Sequence, residues 1–80
     1  MNRWTPLHST GKFGHEDVAE ILIHHGAKIN VQENIYKWTP LHLSAINGHK
    51  DVAELLIQHG ANVNAIDKDK QTPLHLVAKI

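Results

Sequence analysis

Apolar side chains recur at helical spacing in two stretches of this chain, Val18, Ile21 and Leu22, and then Val52, Leu55 and Leu56. Steps of three and four residues place each set on one side of a helix, as an inward stripe. Both stretches open on acidic residues (Glu16 and Asp17; Asp51) and close on a histidine (His25; His59), the polarity that a helix dipole favours. Gly26 and Gly60 follow, where a left-handed residue ends a helix. The pattern therefore predicts helices over about 16–25 and 50–59.

A shorter signal comes before each. Thr-Pro-Leu-His stands at 5–8, 39–42 and 72–75. A threonine hydroxyl caps a helix, and proline fits the first helical position because its missing N–H has no partner there. Short helices are expected over about 6–13, 40–47 and 73–80, with Gly14 and Gly48 stopping the first two. The segments 27–38 and 61–71 are polar, turn-rich and without helical period, which predicts projecting loops.

These elements repeat. Residues 39–54, TPLHLSAINGHKDVAE, align with 5–20, TPLHSTGKFGHEDVAE, at a spacing of 34, and the third TPLH comes 33 residues later. Such a period marks a stack of like units, none able to bury its apolar face alone. The units run about 2–34 and 35–67, with a partial one at 68–80. Recurring residues belong to the scaffold, and the others are free for a different task.

The recurring letters carry a resemblance. TPLH, the Gly-His pairs (Gly14-His15, Gly48-His49), Asp-Val-Ala-Glu with an apolar run, His-Gly-Ala and a Val/Ile-Asn pair (Ile29-Asn30, Val63-Asn64) are similar to the ankyrin repeat over essentially the whole chain. The resemblance implies an all-α repeat, an α-solenoid of helix-turn-helix units joined by β-hairpin-like loops. It also implies that loop tips and the exposed side of the first helices line a concave binding surface. For His8, His42 and His75 it implies hydrogen bonds to neighbouring loop backbone. The family often has glycine two residues before the motif threonine, whereas this chain has Arg3, Lys37 and Lys70. A left-handed non-glycine costs about 1 kcal/mol, so a locally altered turn is expected. The first loop is also one residue longer than the second.

Composition narrows the function. Eight basic and eight acidic residues leave no formal charge, against a nucleic-acid backbone or anionic membrane as partner. There is no cysteine, hence neither disulfide nor thiolate chemistry, and a cytoplasmic or otherwise intracellular setting is expected. No apolar run approaches the roughly 20 residues of a membrane span. The opening Met1-Asn2-Arg3-Trp4 runs straight into the first repeat, which leaves no expected room for a signal peptide.

Candidate chemistry is sparse. Of eight histidines, only His24 falls outside the repeat pattern, and adjacent His24 and His25 do not face one site on a helix. No HExxH or CxxC-type spacing is present, so no metal and no cofactor are expected. Ser9 and Ser44 lack a Gly-x-Ser-x-Gly elbow, and the five glycines are too dispersed to cradle a phosphate. The carboxylates read as first-turn or solvent-face residues. The chain is not expected to be an enzyme.

The four aromatics, Trp4, Phe13, Tyr36 and Trp38, all avoid the framework positions. Trp4 and Trp38 each immediately precede the motif threonine. Aromatics are common in binding hot spots because they bury much area at little entropic cost. The expected partner-binding set is Trp4, Phe13, Tyr36 and Trp38, supported by Lys12, Ile35, Ile46 and Asn47, with another protein as the partner. The competing reading has the tryptophans stacking on each other or on Pro6 and Pro40, to tie the loops down. A second function class is also open: a structural piece of a longer array without a ligand of its own. Finally, neither end shows a polar outer face, which predicts end-to-end self-association or marginal stability as a monomer.

Overall fold

The computed structural model describes residues 2–78, and the expected extension of the last helix to Ile80 lies outside them. Five helices follow in order: α1 (Pro6–Phe13), α2 (Glu16–His24), α3 (Pro40–Ile46), α4 (Lys50–Gln58) and α5 (Pro73–Ala78). Helix α1 packs on α3 and α3 on α5, forming one layer. Helices α2 and α4 pack on each other and on the first helices of their own units, forming a second.

The expected starts hold at every helix, α1 ends where expected, and α2, α3 and α4 each end one residue early. Asn47, His25 and His59 are caps instead of last-turn residues. Asn47 turns its amide back to donate to the Leu43 carbonyl at 2.9 Å. Thr5 and Thr39 each accept the N–H of the motif histidine, while that histidine's Nδ1 accepts the threonine N–H at 3.1 Å. Two orphan helix-end donors are satisfied reciprocally, in the manner of a capping box with histidine in the role usually given to Glu or Gln. Gly11 is required by packing, because a Cβ there would stand 2.6 Å from the Pro40 carbonyl oxygen. That absence of a side chain lets α1 and α3 approach.

Leu7, Ala19, Leu41, Val52, Leu55 and Leu56 form the core. The apolar stripe of α4 is inside it, with Val52 1 % and Leu55 8 % exposed. Of the matching stripe of α2 only Leu22 packs against it, while Val18 is 49 % and Ile21 59 % exposed. The reason is positional, since α4 packs against the unit before it, on α1 and α2, whereas α2 meets only α1 and α4. At the other end, Leu74 is 76 % exposed. It borders an apolar groove of about 430 Å³ with Ile57, Val63 and Val77.

No strand forms among the described residues, and each loop is bridged by a backbone bond, Glu33 N–H to the Trp38 carbonyl and Asp67 N–H to the Gln71 carbonyl. One expectation about the loops is corrected. The turns do not change type to spare the non-glycine residues. Arg3, Lys37 and Lys70 all keep the left-handed conformation, at φ 62°, 61° and 60°. Surrounding hydrogen bonds overdetermine the turn, and the side chain accepts the strain.

Candidate protein-binding surface

The loops that carry Trp38 and Lys68 are each organised by a buried carboxylate. Glu33, only 2 % exposed, accepts the N–H groups of Ile35 (2.8 Å), Tyr36 (2.8 Å) and Trp38 (3.1 Å). Asp67, 34 residues on, accepts those of Asp69 (2.8 Å) and Gln71 (2.9 Å). Its other oxygen accepts the Trp38 indole N–H at 3.0 Å. The longer loop has the longer carboxylate: one more residue to span, one more methylene to span it. These two residues were not legible as such, because a polar residue in a polar loop reads as solvated. Their recurrence at the repeat spacing was the available signal.

Histidines lock each loop to the preceding unit. The Trp38 carbonyl accepts the Glu33 N–H at 3.0 Å and the His8 Nε2–H at 2.9 Å. The Gln71 carbonyl does the same for Asp67 N–H (2.9 Å) and His42 Nε2–H (2.9 Å). Since Nδ1 accepts from a threonine N–H, the ring is neutral with its proton on Nε2. Burial pushes both histidines below their ordinary pKa, against smaller opposing contributions from the carbonyls and nearby carboxylates. Burial alone would raise Glu33 and Asp67, but the hydrogen bonds they accept outweigh it and hold both below the usual carboxylate range. Asn30 and Gln32 add bridges to the second loop, through Gly60, Asn62 and Ile66.

On this frame stand the aromatics. Tyr36 and Trp38 stack at 4.5 Å, with the Lys68 ammonium 5.1 Å from the Tyr36 ring. Trp4 stacks on His8 at 5.0 Å and donates its indole N–H to Ser9 Oγ at 2.8 Å. The tryptophans thus stack on Tyr36 and His8 in place of each other or the prolines. Lys12 reaches toward both Trp4 (6.0 Å) and Phe13 (5.3 Å). Phe13, Ile35 and Tyr36 are exposed, Trp4 is 36 % exposed, and Trp38 is half-buried. Ile46 and Asn47 lie at the far end of α3, away from the loop tips, with Asn47's amide engaged by its own helix.

Among the described residues, no group of three or more His, Asp or Glu side chains is placed to hold a metal. No helix among them is long and apolar enough to cross a membrane.

A family model described as ankyrin repeats (many copies) matches residues 7–57 and 45–80. No curated protein matches the chain. With capped helix pairs in register and a family match over nearly its whole length, the chain belongs to the ankyrin repeat family.

Proposed function

We propose that this chain is a non-catalytic protein-binding module whose contact surface is formed by the loop tips and first helices, on the concave side of the stack. Ankyrin repeats are generally protein–protein interaction modules, and the finer assignment rests on one observation. All four aromatics stand outside the core cluster: Tyr36 and Trp38 on the loop that Glu33 and His8 hold, Trp4 just before α1, and Phe13 at its end. A scaffold gains little by exposing Tyr36 and Phe13, whereas an interface gains area at low entropic cost. Trp4, Phe13, Tyr36 and Trp38 form its centre, with Lys12 and Ile35 beside them and Ile46 and Asn47 at its edge. An intracellular setting fits a chain without cysteine.

Site-specific photo-crosslinking tests the surface. A crosslinker at Tyr36 should join the partner, and one at Glu54, exposed on α4, should not. Equal labelling from both would remove the assignment.

The exposed apolar ends favour a second reading, a piece of a longer array whose ends meet other units. Leu74 and Val77 at one end, and Val18 and Ile21 at the other, are the surfaces that would associate head to tail. Sedimentation over a wide concentration range separates the cases, since a strictly monomeric, cooperatively folded species throughout would leave these ends without a partner.

A further inference from the structure

The chain has no net charge, yet its charges are sorted. Arg3, Lys37 and Lys70 hold equivalent left-handed positions on successive loops. Lys68 stands on the second loop tip, and Lys12 reaches over the aromatics from α1. Among the described residues none of these five pairs with a carboxylate, the one ion pair being Lys50–Glu54 on α4. The acids are elsewhere. Glu16, Asp17, Glu20, Asp51 and Glu54 are all exposed on the second helices. Glu33 and Asp67 are buried and spent on loop N–H groups, which leaves Asp69 as the exposed carboxylate of the loops.

Lys12 beside Trp4 and Phe13, and Lys68 beside Tyr36, therefore put unpaired cations against the aromatic rings. A lysine resting against a ring is attracted to it only weakly at an exposed site, by about 0.5–1 kcal/mol. A carboxylate can take the ammonium in a charge-assisted hydrogen bond, while an adjacent apolar side chain covers the ring. We infer that this surface takes an acidic protein segment in which Asp or Glu stands next to large apolar residues. The inference rests on the protein-binding reading above and names the chemistry of the partner.

A single-stranded nucleic acid also seeks cations and aromatics, but it needs free ring faces. Here Trp38 and Tyr36 occupy each other, Trp4 lies on His8, and lysines crowd Trp4 and Tyr36. The acidic second helices also cancel the long-range attraction that a polyanion requires.

Fluorescence anisotropy can test this with four labelled probes: a peptide of alternating Glu and Leu, the same peptide with Gln for Glu, the same with Lys for Glu, and an oligothymidylate. The Glu peptide should bind, with loss of about tenfold or more in affinity on the change to Gln and weakening as salt rises. The charge reversals Lys12→Glu and Lys68→Glu, on exposed side chains that leave the fold alone, should together produce a similar loss. Equal binding of Glu and Gln peptides, abolished by Trp4→Ala, would overturn the acidic preference and leave the protein-binding surface standing. Binding unaffected by Trp4→Ala would overturn both, as would an oligothymidylate bound more tightly than any peptide. Failure of the Glu peptide to bind would overturn the inference alone.

Discussion

Trp4 and Trp38 occupy the same position in successive units, yet different neighbours hold them. Trp38 lies between two loops: its indole N–H goes to Asp67 of the next, and its carbonyl takes the His8 proton from the preceding unit. Trp4 instead turns its indole N–H to Ser9 of its own unit. The same contrast separates α4 from α2: Val52 and Leu55 are buried, and their counterparts Val18 and Ile21 are exposed. In a stack, the surroundings of a residue are set by its place in the array as much as by its own repeat. The letters repeat, and the environment does not.

The sharpest way to break this comparison is to remove a loop's internal anchor. Glu33→Ala would orphan three N–H groups in the loop between the units, and should cost about 3 kcal/mol or more in urea unfolding, since each buried unsatisfied donor costs about 1–3 kcal/mol. A cost under about 1 kcal/mol would mean that water replaces the carboxylate.

The histidines give a paired test. His42 joins its own threonine to the next loop, whereas His75 has the threonine contact without a further loop beyond it. His42→Ala should destabilise by about 2 kcal/mol, and His75→Ala by less than half of that. Equal effects would show that the cap matters and the link between units does not.

Acid should act in two stages. Folded-state pKa values below the ordinary 6.5 mean that His8 and His42 bind protons more readily when unfolded, so stability is full above that pH and declines as pH falls through it. Protonation would also set an Nδ1–H against the threonine N–H. Glu33 and Asp67, lowered from 4.5 and 3.8, add a second decline at more acidic pH. Unfolding midpoints measured across this range check the sign, and the first stage should vanish when both His8 and His42 are replaced.

The smallest effect is a gain. Lys37→Gly relieves a left-handed lysine and should stabilise by about 1 kcal/mol in the same urea assay.

Much of this was legible in the sequence. The recurring TPLH marks the starts of α1, α3 and α5, the acidic openings and apolar stripes mark α2 and α4, and the period gives the stacking of units. What stayed hidden was relational. The exposure of Val18 depends on which helices pack on α2, and the burial of Glu33 and Asp67 depends on a turn closing around them. The left-handed conformation of Lys37 follows from the hydrogen bonds that fix the turn, which the local cost of that conformation does not contain. Of the candidate surface, the aromatics and Lys12 were readable as residues outside the repeat. Lys68 was not, since its place beside Tyr36 follows from the packing of one loop on the next.

The central claim is that the loops are held by carboxylates and histidines, which leaves the tryptophans for a partner. Its most direct test is the double variant Trp4→Ala/Trp38→Ala, with helical circular dichroism and partner binding read on the same sample. The account predicts a helical signal close to that of the parent chain and loss of binding, with hot-spot losses of about 2 kcal/mol or more per tryptophan. A double variant that unfolds, or one that folds and still binds its partner, would contradict it.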